Sequence, residues 1–198
     1  MRQFIISSMA PILWILTAFD AISIFAMFQN RRKNRTSQIS LLTGILCLGL
    51  FYDSLILSLG AFLPFGPLLK TLSQFRYILH CLLIPLLFPI CGYSLKLKEK
   101  TIKVIWIITA IIMVIVVQML DIVPVFFMIG IGIYLIIRKK NPHMFLSGTC
   151  MLVFTLLGIF LGKDPSGDRT QSLMFYISMY GESLMVYFLY RFIRKEEA

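Results

Sequence analysis

Apolar residues run through this chain in blocks of about 20, parted by short polar or basic connections, and that length suits a helix crossing hydrocarbon. Seven blocks are read, at 4–28, 40–62, 77–97, 103–120, 121–139, 143–162 and 171–192. The fourth and fifth are nearly continuous. Gln118, Asp121 and Pro124 set the break between them, because polar residues followed by proline favour a turn over one very long helix. If that break failed, the count would be six. The pattern predicts an all-α chain: a polytopic membrane protein, a seven-transmembrane-helix bundle forming one domain over 1–198. The longest polar stretch, Gln29 to Ser40, is too short to enclose a core of its own. No internal repeat is visible, so the sequence does not suggest an inverted-repeat transporter.

Charge orients the bundle. The basic residues gather at alternate ends of the blocks, as the positive-inside rule requires. With the N-terminus outside, the inner connections hold Arg31, Arg32, Lys33 and Arg35, then Lys96, Lys98, Lys100 and Lys103, then Arg138, Lys139 and Lys140. Arg191, Arg194 and Lys195 close the chain on the same side, against Arg2, Lys70, Arg76, Lys163 and Arg169 outside. The bias predicts seven spans, N-terminus outside and C-terminus inside, in a multi-pass protein of the cell membrane. A cleaved signal peptide is not expected, since its removal would put the Arg31–Arg35 cluster outside. Asn34-Arg35-Thr36 fits a glycosylation sequon but falls on the predicted inner side.

Composition agrees. The chain is 59% hydrophobic and 14% charged, whereas a soluble domain carries about 45–50% apolar and about 25% charged residues. The net charge of +10 would suggest nucleic acid in a soluble protein. Here the basic runs are topological, and no nucleic-acid partner is expected. They can also meet anionic headgroups of the bilayer.

Against this background two carboxylates stand out. Asp53 and Glu182 lie deep in apolar runs that contain no Lys or Arg to pair with them. An acid in hydrocarbon is costly and is a functional-site hypothesis by default. At 1.5 Å per residue, Asp53 lies about 14 Å below the outer end of its block and Glu182 about 16 Å below the start of its own. Both are therefore expected near the midplane, and as neutral, protonated acids. Asp20, beside Thr17 and Ser23, counts as deeper, about 24 Å from its outer end. The first, second and last blocks are expected to be neighbours, as in a closed ring. The chemical reading of Asp53 and Glu182 is general acid or cation stabiliser; the structural alternative is an acid hydrogen-bonded between helices.

The surroundings are aromatic. Phe175, Ser178, Glu182 and Met185 share one helical face, flanked by Tyr176, Tyr180, Tyr187 and Tyr190. Aromatic faces stabilise cations, although Tyr and Phe also form interfacial belts. Tyr52, next to Asp53, is a candidate hydrogen-bond partner for it. Arg76 and His80 stack on one face near the outer mouth and can orient a polar ligand end. Alternatively His80 is an interfacial structural residue. Pro85 and Pro89 kink that block, which widens a cavity or merely bends the helix.

Other chemistry is excluded or disfavoured. Cys47, Cys81, Cys91 and Cys150 all lie in apolar blocks without a CxxC pair and read as buried free thiols. With only His80 and His143, neither a His-rich metal site nor paired haem ligands are expected. His80 and Cys91 share a face but lie about 16 Å apart along the axis, too far for a Cys-His dyad. Asp164 and Asp168 flank Pro165 and Gly167, a turn composition rather than a Mg²⁺-diphosphate motif. No metal and no organic cofactor is expected.

Tyr52-Asp53-Ser54 with Gly60, followed by Phe75-Arg76, His80 and Pro85, resembles a pattern of small bacterial integral-membrane proteins. Some of these are terpene cyclases of drimentine-type indole sesquiterpenoid pathways. They are similar in plan to fungal meroterpenoid and indole-diterpene membrane cyclases, which have seven spans and catalytic acids in an early and a late helix. The resemblance covers mainly residues 50–90 and the overall plan. It departs at Ser54, where the pattern usually has Asn. It implies that Asp53 and Glu182 form the acid pair. The resulting expectation is an enzyme that cyclises a polyprenyl chain after protonating an alkene or epoxide. Tyr52, Phe175, Tyr176, Ser178, Tyr180, Arg76, His80 and Asp20 would line the pocket of a lipophilic small-molecule substrate. The alternatives are a small proton-coupled carrier or channel using the same acids, and a ligand-binding membrane sensor.

Overall fold

The computed structural model describes residues 2–33, 38–60, 66–116, 122–161 and 173–197. Within these, the side chains of residues 2–10, 77, 80, 81, 110, 113–116, 122, 173–175 and 197 lie outside the description. Among the described residues the chain is all helical. The order is α1 (Arg2–Lys33), α2 (Gln38–Gly60), α3 (Pro67–Leu83), a 3₁₀ turn (Ile84–Leu86), α4 (Leu87–Ser94), α5 (Glu99–Val116), α6 (Ile122–Lys139), α7 (His143–Leu161) and α8 (Leu173–Glu197). These helices fall on the seven apolar blocks. Three stretches among the described residues, Pro11–Lys33, Gln38–Gly60 and His143–Leu161, are long and apolar enough to cross a membrane. The residues around Gln118 and Asp121 and the loop with Asp164 and Asp168 lie outside the described residues, as does the sequon at Asn34.

The third block divides where proline requires it. Pro85 has no N–H to donate, and its ring crowds the carbonyl four residues back. The helix tightens there into the 3₁₀ turn, and Leu87 N–H bonds back to Ile84 and Pro85 carbonyls. Pro89 falls in the first turn of α4, where a missing N–H costs nothing. Lys96 then takes a left-handed conformation at φ 55°. Its N–H bonds to Tyr93 O at 3.0 Å and Leu97 N–H to Gly92 O at 3.1 Å, the paired bonds that close a helix C-terminus.

α1 is inside out relative to a water-soluble helix. Its outer face carries Ile15, Ile22 and Phe25, which are 66%, 68% and 69% exposed, while Thr17, Asp20, Ser23 and Asn30 are buried. In water this would waste the apolar face; in lipid it is the stable arrangement. Lipid tails are as apolar as leucine, so helix association there relies on close packing and interhelical hydrogen bonds. Both are present. A Cβ on Gly132 would lie 2.4 Å from Phe145 Cα, and one on Gly181 would lie 2.7 Å from Phe154 Cβ, so α6, α7 and α8 approach closely. Ser147 Oγ donates to Met185 O at 2.8 Å across α7 and α8. Asn30 Nδ2 donates to Ser40 Oγ at 2.8 Å and ties α1 to α2.

The core has two apolar clusters. One holds Leu13, Leu57, Tyr176 and Met179. The larger one includes Met27, Leu46, Cys47, Leu50, Met185, Val186 and Leu189. α1, α2 and α8 each contribute to both. On each of these helices the switch between clusters coincides with buried polar residues: Asp20 on α1, Asp53 and Ser54 on α2, Glu182 and Ser183 on α8. A polar layer thus separates two apolar ones.

Candidate active site in the polar layer

α1, α2 and α8 pack together, as expected for the first, second and last blocks. Asp20, Asp53 and Glu182 are all buried in the layer they form. Asp20 on α1 lies near Ser54 and Asp53 of α2 and near Ser183 of α8.

One expectation changes at Asp53. No base lies in its own run, but Arg76 Nε on α3 donates to Asp53 Oδ1, and both side chains are buried. Arg76 had been placed at the outer mouth because the third block was drawn from residue 77. α3 instead begins at Pro67, a residue preset for the first helical turn. Arg76 is therefore well inside a helix and points to the acid rather than to an outer ligand. Removing one partner of such a buried pair leaves an uncompensated charge.

Tyr52 does not bond Asp53. Its hydroxyl donates to Leu72 O at 3.1 Å, and its ring meets Phe75 edge-on with centroids 6.2 Å apart. Adjacent helical residues point about 100° apart, so Tyr52 and Asp53 serve different contacts. Ser54 lies buried beside Asp20 and donates to Phe51 O at 3.0 Å. Ser58 Oγ donates to the Ser54 backbone carbonyl at 2.8 Å, and the Thr17 and Ser58 hydroxyls lie 3.0 Å apart.

Tyr176 is buried between Leu13, Leu57 and Met179. With Gly60, Leu69, Ser73 and Arg76 it lines a cleft that admits roughly one water molecule. Ser178 and Tyr180 are half-buried, and the Tyr180 ring stacks on Phe154 with centroids 6.0 Å apart. Met185, on the Glu182 face, is fully buried. The side chains of His80 and Phe175 lie outside the described ones. Cys47 and Cys91 are buried free thiols, and Cys150 is partly buried. No group of three metal-ligating side chains occurs among the described residues.

The layer holds three acids, one arginine and several hydroxyls, shielded from water by apolar clusters on both sides. Such a site can hold a proton, stabilise a positive charge and exclude competing water. Ser73 and Ser183 were missed from sequence, and Ser54 was named only where the resemblance departs. Serine is common inside membrane helices; Ser73 stands one helical turn before Arg76, whereas Ser54 and Ser183 only adjoin Asp53 and Glu182 in sequence. Comparison with protein-family models, curated proteins and solved structures finds no match for this chain.

Proposed function

We propose that this chain crosses the cell membrane seven times, N-terminus outside and C-terminus inside, and cyclises a polyprenyl substrate of terpenoid or meroterpenoid type. Protonation of an alkene or epoxide starts ring closure, and loss of a proton ends it. The product is then an isomer of the substrate. One observation carries this reading: three buried acids from three helices converge at one level, between apolar clusters. A prenyl chain partitions into lipid and reaches that level without crossing water. The resemblance agrees, since two of its polar residues, Asp53 and Arg76, pair in space.

A proton-coupled carrier is the second reading. The linked hydroxyls of Thr17 and Ser58, on the same two helices as Asp20 and Asp53, favour it. One experiment separates the two. The full chain in lipid is incubated with farnesyl- and geranylgeranyl-bearing aromatic substrates and their terminal epoxides. The cyclase reading expects cyclised products of unchanged mass. No product from any of them, together with proton flux in liposomes, would replace it with the carrier.

A further inference from the structure

We infer that Asp20 is the acid that carries the proton, while Asp53 is committed to its ion pair with Arg76. The mechanistic part rests on the cyclase reading; the assignment of the proton does not.

The two aspartates lie in one layer but in opposite surroundings. Asp53 has a guanidinium bonded to its carboxylate. That partner offsets the carboxylate's charge through a charge-assisted hydrogen bond. Asp20 is 1% exposed, and the groups facing it are Ser54, Asp53, Ser183 and Cys47. None of these is a cation. Neither carboxyl oxygen of Asp20 has a hydrogen-bond partner among the described residues, and the Ser183 hydroxyl has none either.

An ionised Asp20 would therefore place a second negative charge near Asp53, in a buried position with no cation among the groups around it. A buried charge in that position neutralises itself by taking a proton. The neutral acid also repairs the local hydrogen bonding. Its O–H is a donor, and the Ser183 hydroxyl is an unused acceptor and donor facing it. A small side-chain rotation joins them. Two carboxyl groups driven into different states by their surroundings are the usual division between proton donor and electrostatic stabiliser.

The reaction step follows. The Asp20 O–H bond breaks and its proton forms a C–H bond at one alkene carbon, using the π pair. The other carbon becomes cationic and is captured by the next double bond. With an epoxide, the proton goes to oxygen and a C–O bond breaks. The Asp53 carboxylate, near Asp20 and held in place by Arg76, stabilises the positive charge without accepting a proton. Deprotonation of the last cation forms the product alkene, and Asp20 takes that proton back. Atoms and electrons balance, with no oxidant and no co-reactant.

Infrared spectroscopy of the full chain in lipid at neutral pH tests the assignment. The wild-type minus Asp20→Asn difference is expected to contain the C=O stretch of one un-ionised carboxylic acid, sensitive to H₂O/D₂O exchange. Asn matches neutral Asp in shape, so the fold is retained. Labelling aspartate carboxyls with ¹³C in the unmutated chain is expected to shift the same band, with no substitution involved. Loss of carboxylate bands in Asp20→Asn, with no acid band lost, would overturn the inference. Its failure is separable from that of the functional reading. An acid band at Asp20 without turnover of any prenyl substrate sinks the cyclase and leaves the proton on Asp20. Cyclised product from a chain with ionised Asp20 does the reverse.

Discussion

Arg76→Leu is expected to destabilise the folded chain by about 3–5 kcal/mol, the typical result of removing one partner from a buried ion pair. Asp53 is buried, and Arg76 on α3 is the cation bonded to it. Without the guanidinium, Asp53 must either keep a charge next to Asp20 or take a proton and lose its strongest hydrogen bond. Replacing both residues with leucine removes the problem along with the pair. Exchanging a buried ion pair for apolar side chains is often neutral or stabilising. The double variant is therefore expected to be much closer to wild type than Arg76→Leu alone. Denaturation of the purified protein in mixed micelles measures the cycle. If Arg76→Leu were neutral, or if the two substitutions simply added, the pair would not anchor α3 to α2.

The second large effect is on rate. Asp20→Asn keeps the shape and polarity of a neutral aspartic acid but has no acidic proton. General acid catalysis contributes about 10²–10⁴-fold, so cyclisation by Asp20→Asn is expected to fall by that factor with the fold intact. Asp20→Glu keeps a proton donor at a displaced position and is expected to fall less. Product formation per mole of folded protein reads both. Wild-type turnover by Asp20→Asn would mean that the donor lies elsewhere in the layer.

Much of this arrangement was legible in the sequence. The apolar blocks located the helices because block length is set by the thickness of hydrocarbon and not by tertiary detail. Pro85 announced the break in the third block through a local backbone rule that no packing can override. Asp53 and Glu182 were visible because acids are so rare in such runs. The pairing was not legible. Arg76 looked like a boundary residue, since Lys70, Ser73 and Gln74 make the first half of α3 polar and push the apparent start of the block to residue 77. Hydropathy marks where a helix becomes apolar, not where its backbone begins. Gly66-Pro67 was the better signal for that start. Which face a serine presents is a tertiary fact, and Ser183 gained meaning only once α8 was seen against Asp20.

The basic clusters around Lys139, Lys140 and Lys195 show the same division between local and tertiary information. Charge alone predicts an orientation for them, and the structure adds specific bonds. Lys139 pairs with Glu196, and Lys195 Nζ donates to Lys140 O at 3.0 Å, so the end of α8 is tied to the corner between α6 and α7. These contacts are exposed and contribute little individually. They help set where α8 sits, and therefore where Glu182 and Ser183 meet α1.

The central claim is that a proton held by the buried acid layer enters a prenyl substrate and starts ring closure. Running the reaction on an alkene substrate in D₂O, with the full chain in lipid equilibrated beforehand and in molar excess so that each acid acts once, tests it most directly. The expected result is a cyclised product carrying one deuterium, at the carbon that received the proton, and its near-absence with Asp20→Asn. A cyclised product without deuterium, or one formed equally well by Asp20→Asn, would contradict it.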